Sequence, residues 1–134
     1  MRDGVELRLK AVVFDWDLTL WNSWDIHLAL MHQTADALSY PRPNPAELGT
    51  EYSRPFFEHL AWFFPGDQER VVDTYMDFYY AAVWQEHHLY PGISELLKQL
   101  KDNGYRTAIL SDKRKIFGMP EFEYSDLAGS VDRA

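Results

Sequence analysis

Cysteine is absent from the 134 residues. Its absence excludes disulfides, thiolate metal sites and cysteine nucleophiles, and it is compatible with a reducing cytoplasm. Basic charge is also scarce: 13 Lys and Arg stand against 21 Asp and Glu, a formal net charge of -8. Nonspecific binding to nucleic acid or to an anionic membrane needs the opposite sign, so neither partner is expected. No apolar run approaches the length of a membrane span. The opening residues Met1 to Glu6 lack the apolar stretch of a signal peptide. No internal repeat or low-complexity tract stands in for these missing features. The expectation is a soluble cytoplasmic protein. What remains is 46% hydrophobic and 16% aromatic, which suits one folded domain with a real core.

The most informative segment is Leu9 to Leu20. An apolar β-branched run, Ala11-Val12-Val13-Phe14, ends in Asp15-Trp16-Asp17-Leu18-Thr19. In an extended strand, side chains two apart share a face, which puts Asp15 and Asp17 on the same side. Two close carboxylates repel each other unless a cation or a proton offsets them. The plain alternative is a strand running into an Asp-rich turn, which would leave the interleaved bulky residues unexplained.

The run from about Arg8 to Phe14 lacks alternation and reads as a strand buried on both faces, as in a parallel sheet covered by helices. Asn22 or Ser23 can cap a helix with Trp24, Leu28, Met31, Ala35 and Leu38 on one face. Tyr40 to Pro45 reads as a loop. Pro55 to Phe64 reads as a second helix. Asp67 caps a third, with Val72, Tyr75, Met76, Tyr79, Ala82, Val83 and Glu86 at helical spacing. Tyr90-Pro91-Gly92 opens a further helix with Ile93, Leu96, Leu97 and Leu100 facing the core, and Asn103-Gly104 closes it. Tyr105 to Leu110 is a second strand, ended by Ser111-Asp112. Strand, helical insert, helix, strand is a βαβ crossover with helices spliced into its first connection. The tail from Lys113 is weakly patterned, with Glu121 to Leu127 as a helix candidate.

Three segments together resemble the haloacid dehalogenase-like superfamily, in particular its capped phosphatases of the phosphoglycolate phosphatase type. They are Asp15-Trp16-Asp17-Leu18-Thr19, the re-entry Leu89-Tyr90-Pro91-Gly92-Ile93 with Asn103-Gly104-Tyr105, and Ala108-Ile109-Leu110-Ser111-Asp112. The resemblance implies an α/β fold: a partial Rossmann-like parallel sheet core, residues 1–21 and 89–134, with an inserted helical cap domain, residues 22–88. It implies that Asp15 attacks a phosphoryl group and that Asp17 serves as acid and then base. Thr19 would brace the loop at the substrate, and Ser111 would bond a phosphate oxygen. Mg²⁺ would sit on the Asp15 carboxylate and the Asp17 backbone carbonyl. The implied substrate is a small phosphorylated metabolite, such as phosphoglycolate or a sugar phosphate, with a phosphomutase as a sub-variant.

Two departures qualify this. Leu18 stands where the family often has glycine. The later strands that would carry the family's third-motif lysine and fourth-motif acids are not found after Ser111. The resemblance therefore implies a C-terminally incomplete phosphatase, or a sheet edge that another chain, such as a second copy, covers. The other function class is a noncatalytic or truncated module that binds a partner or phosphate without turnover. Lys113, Arg114 and Lys115 read as a solvated basic turn rather than a phosphate partner, and Asp126 and Asp132 as surface acids rather than metal ligands. His27, His32, His59, His87 and His88 read as surface or partly buried. Trp62, Phe63, Phe64, Tyr75, Tyr79, Tyr80 and Trp84 read as core rather than the lining of a substrate pocket. Arg54 is a secondary candidate for a substrate carboxylate or phosphate.

Overall fold

The β-branched segment forms strand β1, Ala11–Phe14, in the computed structural model, which describes residues 10–83 and 88–134. The other helices and strand are α1 Ser23–Leu38, α2 Pro45–Thr50, α3 Phe56–Phe63, α4 Gln68–Val83, α5 Ile93–Asp102, β2 Arg106–Ile109 and α6 Lys115–Tyr124, before a 3₁₀ turn at Ala128–Ser130. The described residues divide into two compact units, 10–22 with 88–134 and 23–83. No helix among them is long and apolar enough to cross a membrane.

The first unit is α/β. Strands β1 and β2 pair in parallel, with Ala11 opposite Arg106 and Phe14 opposite Ile109. The outer edge of β2 is met by the chain end: Ile109 N–H donates to Arg133 O at 2.8 Å. Helix α5 packs on β2 and on the 3₁₀ turn. Its left-handed flanks fall on glycine, Gly92 at φ 84° and Gly104 at φ 82°, where a side chain would be strained. Only Leu97 of its expected core face is fully buried, and Leu96 is exposed. Burial of one such leucine is worth about 1.5–3 kcal/mol.

Strand β1 is not buried on both faces, contrary to the reading of its apolar run. Val12 and Phe14 are half-buried while Ala11 and Val13 are exposed. Among the described residues, the face that carries Ala11 and Val13 has no covering layer. The expected start of the strand, at Arg8 and Leu9, lies outside the described residues.

The second unit is all-helical, with α4 packing on both α1 and α3. Helix α1 begins where expected, but its buried face is Ile26, Leu30, Met31, Thr34 and Ala35. Trp24, Leu28 and Leu38 are half-buried. In α4 the buried stripe is Val71, Tyr75 and Tyr79, while Val72, Met76 and Ala82 are half-buried. Glu86 lies outside the described residues. Helix α2 was not expected. Asn44 caps it by accepting the Ala46 N–H at 2.8 Å, and Pro45 occupies its first turn, where a missing N–H costs nothing.

Candidate functional site

Asp15 and Ser111 leave the sheet side by side. Phe14 is opposite Ile109, and Leu110 N–H donates to Phe14 O at 2.9 Å. The residues that follow each strand therefore emerge together at the carboxyl edge, where open α/β sheets bind ligands. Asp15 is exposed, and its Oδ1 accepts the Trp16 N–H at 2.7 Å. Beyond it the chain folds back on itself. The Trp16 carbonyl accepts the amides of Thr19, Leu20 and Trp21, and Leu18 N–H donates to Trp21 O. This turn places Leu18 at φ 61° and leaves Thr19 exposed. Trp16 and Trp21 are buried beneath it, stacked with ring centroids 5.4 Å apart.

Asp17 belongs to a polar network that runs into the unit's interior. Its Oδ1 accepts from Lys113 Nζ at 2.7 Å. The same ammonium donates to Glu121 Oε1 at 2.6 Å. Glu121, on α6, is 1% exposed, and it also accepts from the Trp16 indole Nε1 at 2.9 Å. A buried carboxylate is tolerated only with such donors around it. Ser111 Oγ accepts the Lys113 backbone N–H at 3.1 Å, which leaves its own O–H to donate. The structure thus joins Ser111, Lys113 and Asp17 in one connected set. Asp15 sits on the adjoining strand end.

Lys113 corrects the sequence reading, because it is not part of a solvated turn. Its side chain is 16% exposed and paired with two acids, whereas Arg114 and Lys115 are exposed. Nothing in a single sequence pairs position 113 with 121. Periodicity offers no signal either, since Gly118 and Pro120 interrupt the helical pattern that brings them together. Asp126 is exposed, as expected. Asp132 accepts the Thr107 N–H at 2.7 Å and so finishes the edge of β2.

Oxygen donors of this kind suit a hard cation. Among the described residues no group of three or more His, Asp and Glu side chains gathers as a metal cage. Mg²⁺ keeps several waters and needs only one or two carboxylates, and Asp15 is an exposed acid at this edge.

In the helical unit, two histidines form a chain through its core. His59 is buried, which goes beyond the surface or partly buried reading, and His27 is half-buried. His59 Nδ1 lies 2.8 Å from Glu51 O, His27 Nε2 is 2.9 Å from His59 Nε2, and Tyr75 Oη is 2.7 Å from His27 Nδ1. One proton order satisfies all three: Tyr75 donates to His27, His27 to His59, and His59 to the carbonyl, with both rings neutral. Burial holds the His59 imidazole below its usual value, against the opposing effect of the Glu51 carbonyl bond. Arg54 is bonded to Glu51 and lies 4.2 Å over the Trp62 ring. Phe64, Tyr75 and Tyr79 are core, but Trp62 and Tyr80 are half or nearly half exposed. His87 and Trp84 lie outside the described residues.

Comparison with known proteins adds a family. Its model, described as haloacid dehalogenase-like hydrolase, matches residues 12–132. PpaX of Clostridium perfringens, named as a pyrophosphatase, is 26% identical over 106 residues, or 79% of this chain and 50% of PpaX. A structure assigned as a phosphoglycolate phosphatase of Haemophilus somnus superposes with a TM-score of 0.76 at 18% identity, covering 93% of this chain and 61% of that one. CbbY of Rhodobacter sphaeroides, in complex with xylulose-(1,5)bisphosphate, gives 0.68 at 19% identity, with 94% and 62% covered. At such identities the structural likeness speaks to the fold. The chain spans about half the length of the curated relative and about three-fifths of these structures.

Proposed function

Because the chain belongs to the haloacid dehalogenase-like hydrolase family, we propose that it is a Mg²⁺-dependent phosphomonoesterase working through an aspartyl-phosphate on Asp15. A carboxylate oxygen of Asp15 forms a bond to phosphorus as the bond to the leaving oxygen breaks, and Asp17 gives that oxygen a proton. Asp17 then takes a proton from water as the water displaces Asp15, which releases inorganic phosphate. Ser111 donates its hydroxyl to a phosphate oxygen, and Thr19 braces the turn that carries the acids. Mg²⁺, held by the Asp15 carboxylate and the Asp17 carbonyl, would offset the carboxylate repulsion and polarise the phosphoryl group. The helical unit of residues 23–83 acts as the cap, and the cysteine-free composition supports a cytoplasmic setting.

The observation that carries this reading is the emergence of Asp15 and Ser111 from paired parallel strands, with Asp17 tied to the same place through Lys113. A small phosphorylated metabolite is the substrate class, in keeping with a relative named for pyrophosphate and a neighbour holding a sugar bisphosphate. A second reading, phosphate binding without turnover, is favoured by the Lys113–Asp17 ion pair, since it engages the acid that would have to serve the leaving oxygen. The two are separated by p-nitrophenyl phosphate hydrolysis with Mg²⁺. The chain is expected to turn over, and Asp15→Asn to lose more than about a thousandfold. Equal rates, or none from either, would end the enzyme reading.

A further inference from the structure

Glu121 has no part in the chemistry above, yet it is 1% exposed. Burying a carboxylate is costly, and an apolar residue of similar size would ordinarily serve α6 better. What the acid does is hold Lys113. The ammonium donates to Glu121 at 2.6 Å and to Asp17 at 2.7 Å. The Trp16 indole fixes the carboxylate from the other side at 2.9 Å, while the Lys113 backbone is bonded to Ser111 Oγ. An ammonium has three N–H bonds. Two are spent on carboxylates, and one remains for a further acceptor.

Resting on the phosphatase reading, we propose that Lys113 contacts the phosphate of the substrate, and that Glu121, fixed by Trp16, is the positioning residue that holds the ammonium there. A lysine free to rotate would lose side-chain entropy each time an anion bound; anchored on Glu121 it is ordered beforehand. A purely structural pair would need Glu121 alone. Here the ammonium also reaches Asp17, whose side chain is 28% exposed at the rim of the sheet.

The test uses the full chain with Mg²⁺ and inorganic phosphate, followed by calorimetric titration and thermal melting. Glu121→Gln keeps the shape and an acceptor for Trp16 while removing the charge. Phosphate affinity is expected to weaken about tenfold or more in Glu121→Gln and in Lys113→Met, as for loss of a charge-assisted bond. The double variant Lys113→Met with Glu121→Gln removes both charges together, so it should recover melting temperature relative to Lys113→Met, but not phosphate affinity. Wild-type affinity in Glu121→Gln, or affinity regained in the double variant, would overturn the positioning role and leave the phosphatase reading standing. If the unaltered chain neither binds phosphate nor hydrolyses p-nitrophenyl phosphate, both proposals fall together.

Discussion

Leu18 sits in the left-handed region at φ 61° with 48% of its surface exposed, a backbone choice that costs a side-chain-bearing residue about 1–2 kcal/mol. Leu18→Gly is therefore expected to raise stability by up to about 1 kcal/mol, after allowing for the greater freedom of glycine in the unfolded chain. A thermal melt checks this, and a lower midpoint would mean that the leucine packs usefully. His59 makes a pH-dependent contribution. Its imidazole is held below the ordinary value of 6.5 by burial, so the unfolded chain takes up the proton first. The stability it supports is complete above that value and is lost as pH falls through the lower folded-state value. A protonated His59 would also turn its Nε2 into a donor facing the His27 Nε2–H. Melting midpoints should fall from neutral pH toward pH ~5, and less steeply in His59→Gln; parallel profiles would remove His59 as the cause. Asp15, Asp17 and Ser111 stood out in the sequence because acids and hydroxyls are conspicuous at the end of an apolar strand. Lys113 and Glu121 did not, because their pairing depends on a fold-back that no local pattern encodes.

Short elements depend on their caps. Helix α2 has six residues, and Asn44 bonds its first turn, so Asn44→Ala is expected to cost about 1 kcal/mol, read from the denaturation midpoint. No change would mean that the burial of Leu48 holds the turn unaided. The longer helices α1, α3, α4 and α5 were legible in sequence because each repeats apolar residues over two turns or more. Helix α2 is too short to repeat anything, and its Asn-Pro pair reads equally well as a turn. Helix α6 was placed six residues late. Gly118 and Pro120 both lie inside it, and both argue against a helix that the burial of Phe117 and Glu121 nevertheless fixes. In α1 the period was right and the face was off by about one position, since Trp24 and Leu28 are large but end up half-buried.

At the scale of the whole chain, the α/β class and the parallel pairing of β1 with β2 were readable from the order of elements, because a crossover helix between two apolar strands leaves few other topologies. Exposure was not readable: Val13 is 60% and Leu110 74% exposed, and a sequence does not say how many layers cover a strand. Exposed apolar residues of this kind are where a second chain would dock if one associates. Light scattering is expected to show a mass that grows with concentration, reduced by Val13→Lys; a monomer at all concentrations would mean the edge is protected. The central claim is that Asp15 becomes phosphorylated at the rim of this sheet. Its most direct test is acid-quenched mass spectrometry of the chain mixed with p-nitrophenyl phosphate and Mg²⁺. One phosphoryl group is expected on the peptide carrying Asp15 and none in Asp15→Asn, whereas turnover with the adduct on another residue, or persisting in Asp15→Asn, would contradict it.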